Sequence, residues 1–313
     1  MSALKTIAIS VGDLNGVGFE ILLKAHNVIK QLCNPLYCIN YTMAQQAALL
    51  LHTQFPNDFY MYKVSGEFTI EPGKVSASSG RYSYDSFIAA VELAQSKAVD
   101  AIVTLPIHKE AWMMAGIEYV GHTDALRDIF KSDAIMMLGC NKLYVALYTE
   151  HIPLRSVVEH MSVEKITDFL LLFHKSVHRS PIGVLGLNPH AGDHGVLGDE
   201  ETIIEEAIKQ ANQQIGESIF EGPLVPDVAF TPRSREYYKT IVAMYHDQGL
   251  APLKALYFDE GINVSLGLPI IRTSVDHGTA FDIAYQNKAS LLSYINAIKA
   301  AIAFCHQDED DVH

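Results

Sequence analysis

The sequence predicts an α/β protein built on mostly parallel sheet and organised in two domains. Three observations carry this expectation. Strand-like and helical patterns alternate along the chain. Thr6 to Val11 (TIAISV) gives way to helical spacing through Ile21, Leu22 and Ala25. Tyr82 to Ala98, apolar at Phe87, Val91, Ala94 and Ala98, leads into the buried strand Asp100 to Leu105 (DAIVTL), stopped by Pro106. A helix between consecutive strands returns the chain so that the strands run parallel. The chain has 313 residues, more than one hydrophobic core usually organises, and 49% of them are hydrophobic, enough to fill two.

The middle of the chain departs from this alternation. Ala134 to Leu138 and Leu143 to Tyr148 are separated only by Gly139-Cys140-Asn141-Lys142, which predicts an antiparallel hairpin. Ser162 to Val177 reads as an amphipathic helix with Ser162 as N-cap. Ile182 to Leu187 is a strand, Asp199 to Gln213 a helix rich in acids at its start, and Ser290 to Cys305 a final helix. The closing QDEDDVH reads as a solvated tail. With no repeat and no Pro/Ser-rich linker, the second domain is expected as an insertion. The expected division is 1–120 with 275–313, and 121–274.

Composition narrows the function classes. A net charge of −13 argues against nucleic acid or an anionic membrane as partner. The apolar runs fall short of the ~20 residues that a membrane helix needs. Met1 is not followed by a basic and then an apolar region, so a cytoplasmic protein is expected. Cys33, Cys38, Cys140 and Cys305 lack metal or redox spacing and read as buried thiols.

The most informative feature is a repeated placement of histidine. Three apolar runs each end on one: Leu143 to His151 (LYVALYTEH), Ile182 to His190 (IGVLGLNPH) and Ile241 to His246 (IVAMYH). Ligands of α/β sheets collect outside the carboxyl ends of the strands, so these imidazoles are candidates for one catalytic metal site. Imidazole ligation suits zinc best, with cobalt, manganese and magnesium left open. Asp247 either orients the imidazole beside it or caps a helix.

Two cations interrupt apolar segments: Lys254 in APLKAL and Arg272 in LPIIRTS. A charge in such a setting calls for a partner, either a structural ion pair or an anionic ligand. Asn263, Thr273 and Ser274 lie near in sequence and suit a phosphate or carboxylate. His122 and Thr123, in GHTD, open a helix whose free N–H groups suit an anion. The Gly12 to Gly18 loop follows neither dinucleotide nor Walker spacing and is balanced between phosphate binding and a tight turn. Asp199-Glu200-Glu201 follow the second Gly-rich stretch and would repel a phosphate there.

Taken together, GDLNGVGFE (Gly12 to Glu20), GHTD (Gly121 to Asp124), HIPLR (His151 to Arg155), LNPHAG (Leu187 to Gly192), MYHDQGLAPLK (Met244 to Lys254) and NVSLGLPIIRTSVDHGTA (Asn263 to Ala280) resemble the 4-hydroxythreonine-4-phosphate dehydrogenase family of pyridoxal phosphate biosynthesis. The resemblance implies metal ligands at His151, His190 and His246, and substrate contacts at His122, Thr123, Lys254, Asn263 and Arg272. It implies a homodimer whose metal sites draw ligands from both subunits, with the interface on the second domain. It also implies the two-domain fold of isocitrate and isopropylmalate dehydrogenases, which is not a Rossmann fold. The loop His277-Gly278-Thr279-Ala280 resembles the adenosine-binding loop of those enzymes and is the candidate site for NAD or NADP. Departures from the family pattern fall at Leu14 and Phe19 (usually proline), His108 (usually asparagine), Asp124 (usually glutamate) and the loop AGDHGVLG, usually richer in glycine.

The implied reaction is oxidation of 4-phosphooxy-L-threonine at C3 to a β-keto acid, which loses carbon dioxide to give 3-amino-2-oxopropyl phosphate. A Lewis-acid metal serves both steps. Lys254 and Arg272 are expected to hold the phosphate, and Asp247 and Lys254 to take part in catalysis; Asp247 and a metal-held water are the candidates for general base. Two other readings stand beside this one: a dehydrogenase of D-threonate or D-erythronate 4-phosphate, and a metal-dependent hydrolase.

Overall fold

Runs such as IAIS, AIVT and LYVAL are buried at every position because both faces of their strands are covered. The computed structural model describes residues 4–310, with side chains through Gln307. Among the described residues the strands, in chain order, are β1 (Thr6–Ser10), β2 (Asn34–Cys38), β3 (Met61–Tyr62), β4 (Ala101–Thr104), β5 (Ile135–Cys140) and β6 (Leu143–Leu147). They continue with β7 (Ile182–Leu185), β8 (Phe220–Leu224), β9 (Thr240–Ala243), β10 (Ile262–Leu266) and β11 (Arg272–Val275). The chain divides into two compact units. The first takes the chain through Ser132, Ile262–Val264 and everything from Leu268; the second takes Asp133–Gly261 and Ser265–Gly267.

In the first unit the strand order is β3-β2-β1-β4-β11, followed by the first half of β10, Ile262–Val264. β1 pairs in parallel with β2 and β4, and β11 pairs in parallel with β4. Helices Gly18–Ile29, Ala77–Gln95 and Leu292–Asp310 supply the return paths and cover. Helix Ala77–Gln95 starts where Ser76 accepts a hydrogen bond from the Ser79 N–H. It carries Gly80 because the Ala111 carbonyl lies where a Cβ would stand.

In the second unit the order is β5-β6-β9-β7-β8. β5 and β6 form the predicted antiparallel hairpin, with Cys140 opposite Leu143 across the turn Asn141-Lys142. The remaining pairs, β6 with β9, β9 with β7 and β7 with β8, are parallel. Helix Val163–Ser176 begins at Ser162, whose side chain accepts from the Lys165 N–H. It packs on helix Glu201–Ile215, and Leu143, Val145, Leu147, Leu185, Ile241 and Ala243 centre the core between the sheet and helix His246–Tyr257.

The boundaries differ from those expected at 120/121 and 274/275. Helix His122–Phe130 and strand β11 belong to the first unit, because His122 packs on Phe87 and Trp112 and β11 pairs with β4. The closing segment also differs: the last helix runs through Asp310, so Gln307 to Asp310 continue it, and residues 311–313 lie outside the described residues.

Candidate functional site

The three histidines follow the carboxyl ends of three adjacent parallel strands, β6, β9 and β7. The strands stop earlier than the sequence suggested, at Leu147, Ala243 and Leu185. Beyond them the backbone bends but stays tied. Thr149 donates its N–H and Oγ1 to the Met244 carbonyl at 3.2 and 2.6 Å, joining the exits of β6 and β9. Gln248 accepts from the Met244 N–H at 2.7 Å and donates Nε2 to the Gly186 carbonyl at 2.7 Å, joining β9 to β7. These side-chain clamps do at the strand exits what ladder bonds do within the sheet.

His151 and His246 face each other with ring centroids 5.3 Å apart. His246 is the first residue of helix His246–Tyr257, and its Nδ1 lies 2.7 Å from Asp247 Oδ1. The residue at the N-cap is Tyr245, so Asp247 orients the imidazole and is not the cap. A carboxylate on Nδ1 fixes the ring so that Nε2 is presented for ligation, the usual outer-shell device of metal-binding histidines. The donor set therefore fits a borderline-soft divalent ion. Among the described residues of one chain, however, no group of three metal-ligating side chains gathers. The structure brings together His151 and His246 and leaves His190 out of the pair.

His190 is exposed and begins a run of left-handed backbone, with φ of 53, 50, 75, 43 and 57° from His190 to His194. Of these residues only Gly192 adopts this region without steric cost, so the turn is strained. It is held from below. The Glu201 carboxylate, 7% exposed, accepts from the Leu187 and Asn188 N–H groups at 2.9 and 2.7 Å, and the Asn188 amide donates to Glu200 and Glu201. The Asn188 hydrogen bond holds the Glu200 carboxyl below its usual range. The acids at the start of that helix thus anchor the histidine loop, a role the sequence did not reveal. Lys254 lies half-buried on the helix that His246 begins, with Nζ 6.0 Å from the Phe258 ring centroid.

The other site residues lie in the first unit. Arg272, 2% exposed, donates Nη2 to Thr104 Oγ1 at 2.8 Å. Burial pushes its pKa down to about 9. A guanidinium resists deprotonation, so this desolvation acts chiefly as a standing cost that an anion relieves. His122 is held well below its usual range, first by burial and then by the Arg272 charge, and is neutral. Its Nε2 is enclosed and has no hydrogen-bond partner; the same is true of Asn263 Oδ1 and His277 Nε2. An enclosed polar atom without a partner calls for a ligand or an ordered water to complete its bonding. Thr123 is buried beside His122 in the first turn of helix His122–Phe130.

The Gly12 to Gly18 loop is buried throughout. Val17 N–H donates to the Thr279 carbonyl at 3.0 Å, and a Cβ on Gly16 would stand 2.6 Å from that oxygen. A Cβ on Gly18 would stand 2.5 Å from the Val11 carbonyl. These glycines permit backbone packing under the loop 277–280, which decides for the tight turn over an open phosphate cradle. Within that turn Asp13, fully buried, accepts from the Asn15 N–H and Ser79 Oγ; burial raises its pKa, and these bonds and His108 oppose the rise. His108 itself stacks on Phe281 at 4.8 Å.

A family model described as pyridoxal phosphate biosynthetic protein PdxA matches residues 26–301. The chain belongs to the PdxA family. It is 64% identical over 297 residues to 4-hydroxythreonine-4-phosphate dehydrogenase of Sulfurimonas denitrificans, covering 95% of this chain and 97% of that one. It is 54% identical over 304 residues to the Campylobacter fetus enzyme of the same name, covering 97% and 99%. The crystal structure of 4-hydroxythreonine-4-phosphate dehydrogenase from Klebsiella pneumoniae superposes with a TM-score of 0.80 at 33% identity, covering 96% of this chain and 99% of that one. The PdxA fold is thus a mixed, mostly parallel sheet flanked by helices, as the sequence predicted.

Proposed function

We propose that this PdxA-family chain is an oxidoreductase that oxidises 4-phosphooxy-L-threonine at C3 with NAD or NADP, with decarboxylation to 3-amino-2-oxopropyl phosphate, in the biosynthesis of pyridoxal phosphate. The observation that carries the reading is the 64% identity, over 95% of the chain, to a 4-hydroxythreonine-4-phosphate dehydrogenase. No helix among the described residues is long and apolar enough to cross a membrane, and we place the enzyme in the cytoplasm.

The His151–His246 pair, with Asp247 on the outer nitrogen of His246, supports a divalent metal, zinc by ligand softness or else magnesium, cobalt or manganese. Because the described residues of one chain bring together His151 and His246 without His190, we assign the third ligand to His190 of the partner subunit in a homodimer. When bound, the metal would supply Lewis acidity at C3 and the nicotinamide a hydride acceptor. Arg272 and Lys254 hold the phosphate; the standing desolvation of Arg272 strengthens its pairing with a dianion. His122, Thr123 and Asn263 fix the remainder of the substrate, and the loop 277–280 takes the cofactor. Asp247 works through His246, as a positioning residue and not as the proton acceptor.

The test is direct. Mixing enzyme, 4-phosphooxy-L-threonine and NAD or NADP should produce the absorbance of reduced nicotinamide together with carbon dioxide. Absence of reduced nicotinamide with turnover of the phosphoester would identify a hydrolase, and a higher kcat/KM on D-threonate or D-erythronate 4-phosphate would reassign the substrate.

A further inference from the structure

Between strand β11 and the last helix, residues 277–289 form no strand and one short 3-10 turn, Phe281–Ile283. Three residues there that are not glycine take left-handed backbone: Ala280, Tyr285 and Asn287, with φ of 44, 60 and 62°. Asparagine tolerates this region, whereas alanine and tyrosine enter it at a steric cost. Such a conformation persists only where its surroundings hold it.

The glycine turn and the helix after it supply that hold. Besides the Val17 N–H on the Thr279 carbonyl, Tyr285 donates its hydroxyl to the Leu14 carbonyl at 2.7 Å. The far end of the segment is held by Glu20. Its Oε2 accepts from the Asn287 N–H at 3.1 Å, and its Oε1 from the Ala289 N–H at 3.0 Å and from Lys24 Nζ at 3.0 Å. An exposed acid in the first turn of a helix is explained by the helix dipole alone. Glu20 occupies the first turn of helix Gly18–Ile29, but it is fully buried. An apolar residue would fill that place at less desolvation cost, so the helix itself gives no reason for the charge. The loop does: a carboxylate binds backbone N–H groups more strongly than a neutral acceptor can.

We propose that Glu20 is a positioning residue for the nicotinamide dinucleotide: by clamping Asn287 and Ala289, it keeps segment 277–289 in the strained conformation that receives the cofactor. The proposal rests on the reading that the loop 277–280 binds the dinucleotide. Released from the clamp, the segment samples other conformations, and apparent affinity falls with the fraction that remains competent. Saturating cofactor restores that fraction, so the chemistry after binding is unaffected.

Glu20→Gln tests this in the full-length enzyme with 4-phosphooxy-L-threonine and whichever of NAD and NADP supports turnover. The amide keeps the shape, but one of its two ends becomes a donor facing an N–H or the Lys24 ammonium, so an anchor is lost. KM for the dinucleotide should rise about tenfold, while kcat and KM for 4-phosphooxy-L-threonine stay within about twofold of wild type. If Glu20→Gln does not fold, Glu20→Asp, which keeps the charge and withdraws it by one methylene, is read against the same outcomes. A dinucleotide KM that does not rise, or a fall in kcat in its place, overturns the proposal.

Hydrogen exchange separates the clamp from the reading beneath it. In wild type, saturating dinucleotide alone should slow amide exchange across 277–289. In Glu20→Gln without cofactor, the Asn287 and Ala289 amides should exchange about tenfold faster than in wild type, and saturation should restore their protection. No slowing of the segment in wild type removes the cofactor from the loop and overturns the underlying reading. Slowing in wild type, with exchange unchanged in Glu20→Gln, overturns the clamp alone.

Discussion

Asp247 Oδ1 lies 2.7 Å from Nδ1 of His246, the residue immediately before it, and this contact leaves the opposite nitrogen of that ring for a metal. Asp247→Asn keeps the shape and removes the charge. Metal affinity, measured by competition with a chromogenic chelator, should fall roughly 10–100-fold. The thermal midpoint without metal should stay within about 2 °C, because Asp247 is 86% exposed and supports little else. Unchanged affinity would remove Asp247 from the metal site.

The proposed sharing of the site between subunits predicts complementation. His190→Ala and His151→Ala homodimers should each be nearly inactive yet folded. Mixed and allowed to exchange subunits, they form heterodimers with one intact site of two, so activity should recover to about one quarter of wild type. No recovery, with exchange verified by mass spectrometry, would place His151 and His190 of one site in the same chain.

Arg272 is buried with its charge at a cost to the fold, which the proposed phosphate contact would relieve. Arg272→Met keeps the volume and removes the desolvated charge, so thermal stability should hold or rise, by ~1–4 kcal/mol where repacking is good. KM for 4-phosphooxy-L-threonine should rise by about 100-fold, and for the unphosphorylated analogue far less. Equal changes in both would remove the phosphate role.

Gly16 sits against the Thr279 carbonyl with no room for a methyl group. Gly16→Ala should cost about 1–3 kcal/mol in urea unfolding. NAD affinity should fall with it, because the displaced backbone is that of the loop 277–280. Full stability with weakened NAD binding would instead restore the loop as a direct phosphate cradle.

Much of the fold was legible because it rests on local signals. The hairpin at Asn141-Lys142 follows from link length, and the Ser162 cap from one hydroxyl before an amphipathic run. The strand exits were misjudged because Tyr148, Thr149 and Met244 are apolar or β-branched enough to extend a strand, while their bonding is already made by side chains such as Gln248. The domain boundary was missed because pairing of β11 with β4 joins residues about 170 apart, which no local pattern records. Of the site, the three histidines and Arg272 stood out by placement. Glu201 and Trp112 did not: a carboxylate at a helix start and an indole in a helical stretch have ordinary structural explanations, and only the fold reveals what each one holds in place.

Trp112 is the one tryptophan in the chain. Its indole is buried, fixed by Ser83 and in edge-to-face contact with His122. Intrinsic emission excited at the red edge of protein absorbance therefore comes from one fluorophore at one place, with no background from elsewhere in the fold. Its band overlaps the absorption of reduced nicotinamide, so energy transfer to that product offers a native optical gauge of cofactor occupancy without any label attached.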